Sequence, residues 1–117
     1  MQAGIAENTV ALRELLNGGG AEFVRFRHGT GCVIRHGKIA ANKVRGARAA
    51  LCHDEYTARF ARRHNNANVL SIGARLIAPE LAMAILDVFL TEEFEGGRHV
   101  ARLDQLTAIE DEEAAKS

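Results

Sequence analysis

Proline occurs once in these 117 residues and cysteine only twice, and the 15 basic side chains are balanced by 15 acidic ones. Two cysteines in unrelated contexts, Cys32 and Cys52, make no disulfide framework, and the absence of any CxxC spacing excludes the common structural zinc modules. Zero net charge excludes a global field that would recruit nucleic acid or an anionic membrane. No window approaches 18 continuous apolar residues, so nothing spans a bilayer as a helix. The start, MQAGIAENTV, lacks both a basic region and a long apolar core, so no signal peptide is read and the cytoplasm is the expected location. There is no internal repeat and no low-complexity stretch. What remains is a chain 47% hydrophobic, the right size for one compact domain, taken as residues 1–117.

The charge is unevenly spread. Lys43, Arg45, Arg48, Arg59, Arg62 and Arg63 cluster in 43–63, while 110–113 reads EDEE. A solvated helix face explains the basic cluster more simply than a phosphate site does, and the acidic run is a solvated end.

Periodicity supplies the elements. Residues 5–17 place Ile5, Leu12, Leu15 and Leu16 on one helical side, and Gly18–Gly20 end that helix. Phe23, Val24 and Phe26 predict a strand, closed into a loop by Gly29, Thr30 and Gly31. Arg25 and Arg27 argue that this strand lies at an edge. Residues 32–38 have no clear period and read as loop. A short helix over 39–44 follows, then a strand over 47–52. Asp54 is a plausible N-cap for a helix through His64, with Tyr56 and Phe60 facing inward and Asn65 and Asn66 ending it. A strand covers 69–72. Pro79 suits the first position of a helix whose stripe is Ala82, Ile85, Leu86 and Phe89. A last helix starts near Arg98 with Val100, Leu103 and Leu106 inward. Strands separated by helices imply parallel pairing with right-handed crossovers.

The polar residues at the ends of these elements fall into specific runs. IAANKV, RAALCHD, HNNANVL, GAR and EFEGGRH, spread over residues 21–109, resemble type B ribose-5-phosphate isomerases and the related galactose-6-phosphate isomerase subunits. The resemblance implies an α/β fold: a Rossmann-like three-layer sandwich with a short parallel sheet of about three strands flanked by helices, and a C-terminal helix docking on a partner subunit. It implies aldose–ketose isomerisation of a phosphorylated sugar without metal or other cofactor, in a homodimer or tetramer, or a hetero-oligomer, whose sites lie between subunits.

Roles carry over residue by residue. His64 matches the histidine that helps open the sugar ring, and Asn65 a substrate-binding neighbour. Arg98 and Arg102 match arginines that hold the phosphate, and Asn42 the asparagine of the AANK run. Gly29, Thr30 and Gly31 match a GTG loop. The chemistry suits these residue types. Ring opening needs a group that moves a proton near neutral pH. Isomerisation through a cis-enediolate needs a base and N–H donors around the developing oxyanion, which a glycine-rich loop can supply.

Three departures stand beside the resemblance. The family's opening strand with its Asp-His pair has no counterpart here, a difference of roughly 40–50 residues judged from the size of βα units. The base is not where the family puts it: His28 stands at one branch's cysteine position, and Cys32 and His36 are the other candidates. The loop between Gly31 and Ile39 is longer than the family's. A catalytically inactive homologue, or one subunit of a hetero-oligomeric isomerase, is therefore the competing reading. Plainer readings attach to Cys52 as a small buried hydrophobe, His53 at the start of a helix, His99 as a phosphate contact or first-turn cap, Arg75 as a substrate contact or surface ion pair, and Asn66 and Asn68 as turn residues bonding backbone.

Overall fold

The computed structural model describes residues 21–26, 29–34, 38–73 and 76–116. The helix expected over 5–17, together with His28, His36 and Arg75, lies outside the described residues. The elements run β1 (Ala21–Phe26), β2 (Gly29–Ile34), α1 (Lys38–Ala41), β3 (Ala49–Leu51), α2 (Glu55–Asn65), β4 (Val69–Ser71), α3 (Pro79–Thr91) and α4 (His99–Ala115).

The sheet order is β1-β2-β4-β3. The last three strands are parallel, with Cys32, Val69 and Ala49 level at one end and Ile34, Ser71 and Leu51 level at the other. The expected short parallel sheet flanked by helices is present, but its membership differs. Gly29–Ile34 is a strand, paired antiparallel to β1 with Gly29 opposite Phe26, Thr30 opposite Arg25 and Gly31 opposite Val24. The expected loop over Gly29–Gly31 and its continuation to residue 34 are therefore corrected. Val33 and Ile34 gain a buried seat beside β4, and that burial outweighs the poor strand propensity of two glycines. The strand carrying Arg25 is indeed at the sheet edge.

β4 is buried along its whole length, as a central parallel strand covered on both faces should be. Its Leu70, with Val33, Cys52 and Ile72, meets Ala58 and Ala61 of α2 and Ala82, Ile85, Leu86 and Phe89 of α3 in one core. The small inward residues of α2 let that helix lie close to its neighbours. Its start is fixed by a capping box: Thr57 N–H donates to the Asp54 carboxylate at 2.7 Å, and Asp54 N–H donates to Thr57 Oγ1 at 3.3 Å. Its end is Asn66 in the left-handed conformation, φ 46°, which asparagine tolerates better than other side chains.

Three inward assignments are corrected. Tyr56 is 66% exposed, its ring lying 4.7 Å from that of Phe60. Val100 and Leu106 of α4 are also exposed, and α4 contributes no buried residue. The helical spacing is present there, but among the described residues no element buries that side; Leu106 instead lines an open cleft.

Candidate active site

α2 runs antiparallel to the strands it connects, so its last turn emerges at the end of the sheet where β3 and β4 begin. His64 and Asn65 stand there. The chain returns to the same place after α3. Gly96 and Gly97 take φ 70° and 57°, a pair of left-handed residues that glycine adopts without a Cβ penalty. This turn brings α4 back across the end of α2. Glu95 N–H donates to the Arg63 carbonyl at 2.9 Å, and Arg63 Nε lies 2.7 Å from Glu95 Oε2.

As a result the His99 ring stacks on His64, centroids 4.3 Å apart, while Phe60 closes the other side at 4.8 Å. Glu95 Oε1 faces both imidazoles, 3.7 Å from His64 Nε2 and 3.5 Å from His99 Nε2. Further along α4, Arg45 pairs with Asp111, and Gly46 N–H donates to Glu110 at 2.6 Å. The helix thus bridges a cleft of about 660 Å³, walled by Ala47–Ala50 on one side and Leu103, Leu106 and Ile109 on the other. His64, Asn65, His99 and Arg102 all line it, and Asn42 stands at its rim.

The expected site residues divide accordingly. His64, Asn65 and Arg102 are brought together. The side chains of Asn65 and Arg102 have no hydrogen bond or ion pair among the described residues, which leaves them available to a ligand. Arg98 sits one turn before Arg102 at the N-cap of α4, exposed and outside the cleft lining. Asn42 also reaches the cleft, and its amide accepts from Ala49 N–H at 2.8 Å and donates to Ala49 O at 3.2 Å, tying the end of α1 to β3 and leaving a second N–H unused by these two bonds.

Gly29, Thr30 and Gly31 are in the β1–β2 ladder. Successive N–H groups of an extended strand point to alternate sides, so this run cannot converge them on one oxyanion as a loop would. Cys32 is likewise a ladder residue, level with Val69.

Several residues matter more than periodicity suggested. Arg62, counted above among solvated cations, is 5% exposed. Its Nη1 donates to Ala67 O at 2.5 Å and Asn66 Oδ1 at 3.1 Å, its Nε donates to Glu92 O at 3.3 Å, and its guanidinium lies over Phe89. Desolvation, with Arg48 nearby, lowers its pKa. It pins the turn after Asn65 to the end of α3. Asn68 fixes the other side of that turn, accepting from Arg48 N–H at 2.7 Å and donating to Gly46 O at 2.9 Å. Glu95 stands inside the EFEGGRH run, where the resemblance attaches no role to that position. Cys52 is fully buried as expected, and burial pushes its thiol up to about 11.

Residues 10–106 match the family profile described as Ribose/Galactose Isomerase. The chain is 48% identical over 82 residues to ribose-5-phosphate isomerase B of Escherichia coli, covering 70% of this chain and 53% of that one. It is 49% identical over 75 residues to D-erythrulose-4-phosphate isomerase of Pectobacterium atrosepticum, covering 64% and 49%. Among solved structures, ribose-5-phosphate isomerase B from Mycoplasma genitalium with bound ribulose-5-phosphate aligns with a TM-score of 0.66 at 42% identity, over 68% of this chain and 56% of that one. The chain therefore spans about half the length of the curated relatives it matches. With a match over most of its length, the chain belongs to the ribose/galactose isomerase family.

Proposed function

We propose that the chain isomerises an aldose phosphate to the corresponding ketose phosphate, of the ribose 5-phosphate to ribulose 5-phosphate type, by metal-independent proton transfer through an enediolate. The observation that carries this reading is the meeting of His64, Asn65 and Arg102 in one cleft. Arg102 binds the phosphate, with Arg98 one turn away joining it when the substrate is in place. His64 opens the sugar ring by moving a proton between the ring oxygen and the anomeric hydroxyl, and Asn65 holds a sugar hydroxyl. A base from residues 28–36, where His28, Cys32 and His36 are the candidates, then takes the C2 proton, and a proton is delivered to C1.

The site is completed between two copies. α4 leaves Leu106 49% and Ile109 55% exposed, an apolar face that docking on a second copy would cover. A homodimer, or a tetramer built from it, is the assembly proposed, in the cytoplasm; Cys52 is a free thiol, and among the described residues no helix is long and apolar enough to cross a membrane.

The test compares His64→Ala with the parent chain on two substrates, following ketose formation by NMR. Ribose 5-phosphate closes to a furanose through its C4 hydroxyl. A four-carbon aldose 4-phosphate has that oxygen esterified and cannot close the ring. Turnover of ribose 5-phosphate should fall about 10²–10⁴-fold, the usual worth of a positioned acid–base group, and turnover of the four-carbon substrate much less. Equal losses on both would remove His64 from ring opening, and no turnover by the folded parent chain would overturn the activity.

A further inference from the structure

We infer that His64, Glu95 and His99 form a binding site for a zinc-class divalent cation, and that occupying it switches the active site off. The inhibitory half rests on the ring-opening role of His64; the binding half does not.

The three ligand atoms lie within 4.8 Å of one another. Zinc bonds to imidazole nitrogen and carboxylate oxygen are about 2.0–2.2 Å, so ligand atoms at tetrahedral angles lie about 3.2–3.6 Å apart. Glu95 Oε1 already stands 3.5 Å from His99 Nε2 and 3.7 Å from His64 Nε2. The remaining pair, the nitrogens of His64 and His99, lies within 4.8 Å, and tilting the two stacked rings so that their Nε2 edges approach each other completes the set.

The carboxylate is built in rather than loosely placed. Its backbone N–H is bonded to the last turn of α2, and Arg63 holds Oε2, so Oε1 is the oxygen turned toward the rings. His99 is 15% exposed and His64 37%, which shelters the site yet leaves a fourth position open to water. Two imidazoles and one carboxylate suit zinc, cobalt or nickel and not magnesium, which prefers an all-oxygen shell. Arg63 on the same carboxylate keeps affinity below that of a dedicated structural zinc site. A cation here takes the Nε2 lone pair of His64, the atom a ring-opening proton would use.

Cobalt(II), whose visible absorption reports coordination, is titrated into the full chain without substrate, and zinc binding is followed by calorimetry. The expected result is one ion per chain, with the intense bands of a four-coordinate site. Affinity should fall at least about tenfold in both Glu95→Gln and His99→Gln, since even outer-shell changes at metal sites cost that much. Zinc should also inhibit isomerisation reversibly, with activity restored by a chelator, and magnesium should not inhibit. Absence of binding up to about 1 mM cation, or binding that both variants retain, would overturn the site. Binding without inhibition would overturn the switch. Because cobalt is read without turnover, a chain that binds it but has no isomerase activity would refute the proposed function and leave the site standing.

Discussion

The imidazole of His64 lies nearly flat on that of His99, with planes 20° from parallel and Nε2 of each facing the same oxygen of Glu95. One ring ends α2 and the other begins α4, so the pair sets the register between two helices that otherwise touch little. Arg102, one turn further along α4, owes its place at the cleft to that register.

Arg102→Ala is expected to raise KM about 10- to 100-fold with a much smaller change in kcat, because a hydrogen bond to a charged group is worth about 1.5–3 kcal/mol. Arg98→Ala should cost less, its side chain lying outside the cleft lining. Steady-state kinetics with inorganic phosphate as a competitor check both: the parent should be inhibited, and Arg102→Ala should lose that sensitivity.

Arg62→Ala leaves the Ala67 carbonyl and the Asn66 amide without their buried donor. The expected cost is about 1–3 kcal/mol for the orphaned groups, before lost packing on Phe89 is counted. Thermal unfolding should show it as a drop of several degrees in Tm. Arg62→Lys should rescue little, since an ammonium cannot present Nε and Nη1 to two separate elements at once.

Acid stability should carry a contribution from Asp54. Hydrogen bonds from Thr57, backbone and then hydroxyl, lower its pKa, with His53 adding a small effect in the same direction. A carboxyl whose folded pKa lies below its unfolded value stabilises the fold above the unfolded pKa, near 3.9, and loses that contribution as pH falls through the folded value. Asp54→Asn should flatten this acid limb in urea titrations between about pH 5 and pH 2. An unchanged limb would show that the cap is not charge-dependent.

Cys52 has the opposite sign at high pH. Its folded pKa of about 11 lies above that of an exposed thiol, so unfolding is favoured as pH rises past the unfolded value and until the folded one is reached. In the native chain at pH 8, iodoacetamide should leave Cys52 unmodified, and urea should expose it. Peptide mass spectrometry reads that residue alone.

The well-marked parts of the chain were those whose signals are local. The Asp54 cap, Pro79 and the α3 stripe each depend on neighbours within one or two turns. The β1–β2 hairpin was missed because pairing of residues 32–34 with Val69–Ser71, far along the chain, makes a strand of a segment without period. Arg62 looked like a surface cation because its partners on α3 lie 30 residues away. In the site, His64, Asn65 and Arg102 were found by motif. Glu95 lay within the EFEGGRH run, but its place against the two imidazoles has no periodic or spacing signal until the turn folds it onto Arg63.

The antiparallel edge strand also bears on the order in which the sheet assembles. Only residues 27 and 28 separate β1 from β2, so their ladder closes a very short loop and can form on a timescale of about 1–10 μs. The parallel pairing of β2 with β4 must first close the chain through α1, β3 and α2, at greater entropic cost. The hairpin therefore gives β2 an extended, hydrogen-bonded template before its parallel neighbour arrives, and changes that weaken β1 should slow folding more than they speed unfolding.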